Sequence, residues 1–221
     1  SMEPAMIPHE FERLDPEVMA ARAAELGRVM QRRRSVRSFA TDPVPRELIE
    51  KALLIAGSAP SGAHLQPWTW VAVSDPELKR RIREAAEAEE RDFYEHRAPD
   101  EWLAALAPLG TDAVKTHLTD APWVLVLFRH RWEVLADGTR RKNYYSSESC
   151  GIAVGFLLAA IHQMGLAALT HTPSPMAFLA AILERPSNEQ AYVVIPVGYP
   201  ARDAVVPDIQ RKSLEQIVVW R

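Results

Sequence analysis

The chain has 221 residues, 48% of them hydrophobic, and a formal net charge of −3 from 26 basic and 29 acidic residues. This length and hydrophobic content suit one folded domain with a sizeable core and exclude a disordered chain. The small net charge gives no overall field that would attract nucleic acid or an anionic membrane, so we expect neither as a partner. The single cysteine, Cys150, and an N-terminus without a basic region followed by an apolar core favour a cytoplasmic protein.

Proline and capping signals predict three helices and one strand in the first half of the chain. The predicted elements are a helix from Pro16 into the arginine run at 32–34, a helix over 45–56, a strand over 69–73 and a helix from 75 toward 94. Residues 95–116 are interrupted by Pro99, Pro108 and Gly110, which break them into short pieces. We expect this segment to be a mobile cover rather than core.

The second half of the chain alternates strands with helices. The uninterrupted apolar run 123–128 is typical of a strand buried on both faces. Further elements are predicted as a helix from an Asn143 cap to Gly165, a strand over 166–172, a helix over 174–184, and strands over 191–198 and 217–220. Gly151 and Gly155 lie one turn apart, which allows close approach of another helix from the same chain or from a dimer partner.

Any phosphate-binding site in this sequence has to be built from arginines. The nine glycines contain no G-x-G pair and no P-loop pattern, whereas four arginines and Ser35 cluster at residues 32–37. Alone, such a run is typical of the solvated end of a helix. Guanidinium groups are nevertheless suited to a phosphate monoester, and the loop at Pro60-Ser61-Gly62 is either an ordinary turn or a set of backbone donors beside a planar ring.

Taken together, these segments resemble the FMN-dependent nitroreductase superfamily and, within it, the iodotyrosine deiodinases. The resemblance runs from about residue 32 to residue 221 and is carried by residues 33–37, 59–64, 66–69, 143–149, 196–200 and 207–212. It implies an α+β fold, an α-β-α sandwich with a central, mainly antiparallel sheet. It also implies one domain over 1–221 with an N-terminal extension over 1–31, and an interlocked homodimer with FMN at the subunit interface. The cofactor-binding residues that it implies are Arg33, Arg34, Ser35, Arg37, Pro60, Ser61, Gly62, Thr170, Thr172 and Arg211.

The trio Glu90, Tyr94 and Lys115 distinguishes a deiodinase from a general nitroreductase. Glu90 and Tyr94 share a helical face, and alone they are typical of a surface pair. The resemblance implies that they form an active-site lid over 90–117 with Lys115. Glu90 and Lys115 would then complement the ammonium and carboxylate of an amino acid, and Tyr94 would cover apolar surface. A different helix register would put Phe93 at the tyrosine position.

The segment Thr170-His171-Thr172 carries the other discriminating residues. On a strand, the two threonines point to one face and His171 points away. Alone, the pattern shows only that threonine favours strands. By resemblance, Thr172 lies near the flavin N5, favours one-electron steps and is the catalytic residue. The Ala63 amide would bind the substrate phenol oxygen, while the role of His171 stays open.

The function that the resemblance implies is FMN-dependent reductive dehalogenation of halotyrosines, iodotyrosine giving tyrosine and iodide. The alternatives are a general nitroreductase or quinone reductase using FMN and NAD(P)H, and a non-catalytic anion- or nucleotide-binding protein. The electron donor, NAD(P)H or a reductase or ferredoxin-type protein, stays open. No metal is expected, because the seven histidines show no H-E-x-x-H motif and one cysteine cannot form a thiolate cluster.

Overall fold

The computed structural model describes residues 3–221. Ser1 and Met2, the first two residues of the N-terminal extension predicted over 1–31, lie outside the described residues. Contacts divide the chain into two units, one ending at Arg33 and one spanning Arg34–Arg221. The first unit contains helix α1, Pro16–Gln31, which starts after Asp15 with proline in its first turn as predicted.

The second unit is built on a four-stranded antiparallel sheet and a separate two-stranded hairpin. The strands are β1 Trp68–Val73, β2 Trp123–His130, β3 Trp132–Val134, β4 Arg140–Lys142, β5 Ala167–Ala168 and β6 Glu189–Gly198. The sheet order is β1-β2-β6-β5, with all three strand pairs antiparallel, and β3 pairs with β4. Five consecutive residues of β2, from 124 to 128, are fully buried, which confirms the prediction of a strand covered on both faces.

Helices cover both faces of the sheet. They are α2 Arg46–Gly57, α3 Pro76–Asp92, α4 Asp100–Leu106, α5 His117–Asp120, α6 Ser146–Gln163, α7 Ala177–Ile182 and α8 Leu214–Ile217. A π-helical turn, Phe93–Arg97, follows α3, and short 3-10 turns occupy Gly62–His64 and Ala107–Leu109. Within residues 3–221, no helix combines the length and apolar character needed to cross a membrane.

Two apolar clusters fill the spaces between the sheet and its helices. Leu125 and Leu127 of β2 pack in one cluster with α2 and α6. Val124 and Val126, which point to the opposite face, pack in the other cluster with α3 and α7. The predicted α+β sandwich with a mainly antiparallel sheet is therefore confirmed.

Several predicted elements are wrong or shorter than expected. The strand predicted over 217–220 is absent: Ile217 ends the helical turn α8, which the capping box of Ser213 and Gln216 starts, and residues 218–220 are irregular. The strand over 166–172 is reduced to β5, followed by a single bridge from His171 to Val194. The helix over 174–184 is reduced to α7.

Asn143 is not the cap of α6. The helix begins at Ser146 after Tyr145, whose φ is 56°. The buried Asn143 amide instead donates to the His130 carbonyl and to Glu133 at the base of the β3–β4 hairpin. This hairpin was not predicted from the sequence.

Candidate active site

A cavity of about 420 Å³ lies between the end of α3, the segment leading to Lys115 and the residues that follow β5. It brings together residues that are far apart in the sequence. The predicted site residues that line it are Arg37, Glu90, Tyr94, Lys115, Thr170 and Thr172, and Phe93 and His171 line it as well.

Glu90 and Lys115 face each other in this cavity. The Lys115 Nζ lies 3.7 Å from the Glu90 Oε2, and the two side chains are only 8% and 13% exposed. The Lys115 ammonium also donates to the Asp112 carbonyl. Burial acts to raise the pKa of Glu90, but the hydrogen bond from His171 and the charge of Lys115 outweigh it and hold the pKa below its ordinary value. The cavity therefore contains a buried carboxylate beside a buried cation.

Glu87 fixes the backbone at Lys115, and sequence reasoning missed it. Its Oε1 accepts a 3.0 Å hydrogen bond from the Lys115 amide and lies 2.6 Å from the Arg83 Nε. Arg83 also donates to the Thr119 hydroxyl. Because Glu87 lies one turn before Glu90 on α3, one helix positions both the acid and the lysine.

Tyr94 and Phe93 both line the cavity from the π-helical turn after α3. The Tyr94 hydroxyl donates to Thr111 Oγ1 at 3.0 Å, and the two aromatic rings meet edge to face with centroids 5.6 Å apart. Of the two side chains, only Tyr94 carries a hydroxyl group. Its hydrogen bond to Thr111 connects two parts of the segment 90–117.

Thr170 and Thr172 are exposed, whereas His171 between them is buried, as the predicted alternation requires. The His171 Nε2 lies 3.4 Å from the Glu90 Oε1. The His171 ring also meets the His117 ring nearly at right angles, with centroids 5.2 Å apart. Burial, reinforced by neighbouring cations, lowers the pKa of His117 to about 3.

A second cavity, of about 450 Å³, lies between Ser35, Arg37 and the segment 203–207. It adjoins the first, since Arg37 and Gly110 line both. The Arg34 guanidinium donates to the Pro207 carbonyl and so lies close to the same segment. Two guanidinium groups and a hydroxyl form a donor set that fits a phosphate monoester. Arg33 belongs to the N-terminal unit, and Arg211 lies in the exposed C-terminal segment.

The loop at 60–63 lines neither of these two cavities in the single chain. It is held instead against the start of α6, where the Gly62 amide lies 3.3 Å from the Ser149 hydroxyl. A Cβ atom on Gly62 would come within 3.3 Å of the Tyr144 carbonyl oxygen, so glycine permits this close approach. Ala63 has a φ of 50°, a left-handed conformation that non-glycine residues adopt mainly where the surrounding structure imposes it.

The sequence of residues 30–199, which is most of the chain, matches the nitroreductase family. The chain therefore belongs to the nitroreductase family.

Similar proteins within this family are iodotyrosine deiodinases. The chain is 54% identical over 216 residues to iodotyrosine deiodinase of Haliscomenobacter hydrossis, covering 98% of this chain and 97% of that protein. It is 42% identical to iodotyrosine deiodinase 1 of Mus musculus, covering 96% and 75% of the two chains. A crystal structure of oxidized iodotyrosine deiodinase bound to FMN and 3-iodo-L-tyrosine superimposes with a TM-score of 0.74 at 31% identity, covering 89% of this chain and 97% of that one. The resemblance to the nitroreductase superfamily and to iodotyrosine deiodinases is confirmed.

Proposed function

We propose that the protein is an FMN-dependent oxidoreductase that removes the halogen from halotyrosines, converting iodotyrosine to tyrosine and iodide. The observation that carries the proposal is the buried Glu90–Lys115 pair in a cavity also lined by Thr172. The high identity to iodotyrosine deiodinases and the likeness to a structure bound to FMN and 3-iodo-L-tyrosine support it.

The buried pair suits a zwitterionic substrate. An amino acid presents an ammonium, which Glu90 complements, and a carboxylate, which Lys115 complements. In the chain alone these two groups neutralise each other at 3.7 Å. The substrate would give each of them a new partner of opposite charge, so neither would be left buried and unpaired. A reductase of simple nitroaromatics or quinones has no zwitterion to bind.

The arginine-lined cavity fits the phosphate end of FMN. Arg34, Ser35 and Arg37 would hold that phosphate and the adjoining ribityl chain, together with Arg211. Thr170 and Thr172 line the adjoining cavity and would border the flavin ring. When bound, FMN supplies the two electrons of the reaction.

The net reaction replaces a carbon–iodine bond with a carbon–hydrogen bond. Two electrons and one proton enter, and iodide leaves. The protein's part is to hold the substrate and exclude water: Glu90 and Lys115 bind its amino-acid end, and the segment 90–117 covers it. The Ala63 amide would donate to the phenolate oxygen, which stabilises the anionic form of the ring.

The site is complete only in a homodimer, in which the loop at 60–63 of one copy contacts the flavin of the other. The helices α2 and α6 carry exposed apolar side chains, namely Leu54, Ile55, Ile152 and Phe156. Packing within the chain accounts for a glycine at position 151, because a Cβ there would meet the Tyr192 hydroxyl at 3.2 Å. A Cβ at Gly155 would meet no atom of the chain within 4 Å. A neighbouring copy of the chain accounts for Gly155 and for the apolar surface around it.

We also propose an electron donor and a cellular location for the enzyme. The electrons come from NAD(P)H or from a reductase or ferredoxin-type protein. We place the enzyme in the cytoplasm, which agrees with the single cysteine, Cys150, being buried and unpaired.

The test is calorimetric binding of 3-iodotyrosine and of 2-iodophenol to the FMN-loaded protein. Both ligands carry the halogenated phenol, but only 3-iodotyrosine carries the zwitterion. We expect 3-iodotyrosine to bind at least about a hundredfold more tightly, because two charged contacts contribute about 1.5 kcal/mol each or more. Equal affinity for the two ligands would favour a general nitroreductase instead.

A further inference from the structure

His171 is attached rigidly to the central sheet. Its backbone amide donates to the Val194 carbonyl and its carbonyl accepts from the Val194 amide, both at 2.8 Å. Val194 is a fully buried residue of β6. His171 itself is only 8% exposed, and its ring packs against the His117 ring. The imidazole therefore has little freedom to change its position.

The His171 ring and Lys115 contact different oxygens of the Glu90 carboxylate. The His171 Nε2 lies 3.4 Å from Oε1, whereas the Lys115 Nζ lies 3.7 Å from Oε2. Glu90 is two residues from the C-terminal end of α3 and is the first residue of the segment 90–117, which covers the cavity. His171 thus links the start of the cover to the sheet through one carboxylate oxygen and leaves the second oxygen to a cation.

The imidazole of His171 is neutral at neutral pH. Burial lowers the pKa of His171; the Glu90 carboxylate opposes this effect, and the nearby Lys115 and Arg37 reinforce it. His117, the other titratable group against the ring, is itself held neutral by burial. The neutral ring donates its Nε2 proton to Glu90, and its Nδ1 is buried without a hydrogen-bond partner in the part of the chain that the structure describes. A neutral donor orients the carboxylate without cancelling its charge.

We propose that His171 is a positioning residue for substrate recognition: it holds Oε1 of Glu90 so that Oε2 stays directed at the substrate ammonium when Lys115 turns to the substrate carboxylate. This inference rests on the proposed function, because it requires a zwitterionic ligand. It gives a role to the one residue of the 170–172 segment to which the resemblance assigns none.

The experiment compares two ligands on FMN-loaded protein by calorimetry. One is 3-iodotyrosine, and the other is 3-(4-hydroxy-3-iodophenyl)propanoate, which has the same ring and carboxylate but no ammonium. We expect His171→Leu to weaken 3-iodotyrosine binding about tenfold, the lower range for a hydrogen bond to a charged group, and to change propanoate binding by less than about twofold. His171→Gln, which retains an N–H donor, restores most of the loss. In a Glu90→Gln background, His171→Leu has no further effect.

The calorimetric results distinguish failure of the proposed function from failure of the positioning role of His171. If the unmodified protein binds both ligands equally, both the proposed function and the role of His171 are overturned. If it prefers 3-iodotyrosine but His171→Leu keeps that preference, or weakens both ligands equally, only the positioning role is overturned. If the leucine variant loses its flavin, His171→Val, which suits an extended backbone, replaces it and is subject to the same two outcomes.

Discussion

The Lys115 ammonium and the Glu90 carboxylate, 3.7 Å apart and largely buried, join the two ends of the segment that covers the candidate active site. Each is also held by a second contact, Lys115 by the Asp112 carbonyl and Glu90 by His171. A zwitterionic ligand can replace the contact between them and leave the other two in place. The pair therefore keeps both charges satisfied before the substrate arrives.

Removing the lysine charge tests this relationship. We expect Lys115→Met to weaken 3-iodotyrosine binding about thirtyfold, near 2 kcal/mol, because the substrate carboxylate loses a charged partner in a site with little water. Calorimetry on FMN-loaded protein measures the change. Lys142→Met, which removes an exposed lysine of β4, is the matched control and should bind 3-iodotyrosine normally. An unchanged affinity in Lys115→Met would mean that the substrate carboxylate binds elsewhere.

The Thr172 hydroxyl is expected to favour dehalogenation over nitro reduction. We predict that Thr172→Ala lowers the ratio of iodotyrosine turnover to nitroaromatic turnover about tenfold, as expected for the loss of one hydrogen bond near the reacting atoms. Steady-state assays with dithionite as reductant give both rates on one preparation. Thr41→Ala, at an exposed threonine outside both cavities, should leave the ratio unchanged. A ratio that is also unchanged in Thr172→Ala would remove Thr172 from the catalytic role.

Burial of His117 makes folding stability depend on pH. The pKa of His117 is lowered from its ordinary value near 6.5 to about 3. In the unfolded chain His117 is protonated below about pH 6.5, whereas in the folded protein it is protonated only below about pH 3. The free energy of unfolding therefore decreases as the pH falls from about 6.5 to about 3. The slope from this residue approaches 1.4 kcal/mol per pH unit.

His117→Phe should flatten this acid dependence. Guanidinium unfolding between about pH 7 and about pH 5, at fixed protein concentration, measures the slope, with the exposed His9 replaced by phenylalanine as control. The lowered pKa of His171 adds a loss of the same sign, so some slope remains in the variant. If His117→Phe and the control show the same slope, folding leaves the pKa of His117 unchanged.

A substitution at Gly155 tests the proposed dimer interface. A leucine there meets no atom of its own chain near the Cβ, so the fold of one copy should tolerate it. If α6 packs against a second copy, the added side chain overpacks the interface and raises the dimer dissociation constant about tenfold or more. Sedimentation velocity over a concentration series measures this constant. Gly27→Leu on α1, where a Cβ also meets nothing within 4 Å, is the control. Equal dissociation constants would place the interface elsewhere.

The parts of the fold that the sequence predicts well are those set by local signals. Pro16, Pro45 and Pro76 mark the starts of three helices, and the continuous apolar run from 123 marks the buried strand β2. The hairpin β3–β4 was missed because its stability depends on side-chain packing: Arg131 and Arg140 each lie 4.7 Å from the Trp132 ring.

The candidate site was predicted through a family resemblance, and its long-range contacts carry no local signal. His171 is 81 residues from Glu90, and Arg34 is 173 residues from Pro207, so no periodicity relates them. The alternation of Thr170, His171 and Thr172 showed which way His171 faces but not that Glu90 would be there. Glu87 could have been found, since it lies one turn before Glu90 and four residues after Arg83 on the same helix.

The central claim is tested most directly by anaerobic turnover of 3-iodotyrosine with FMN-loaded protein and dithionite, following tyrosine and iodide by chromatography against a control without protein. We predict catalytic formation of both products in equal amounts, with two electrons consumed for each iodide released. Reduced flavin that leaves 3-iodotyrosine intact, yet is reoxidised by a nitroaromatic compound, would contradict the account and identify a general nitroreductase.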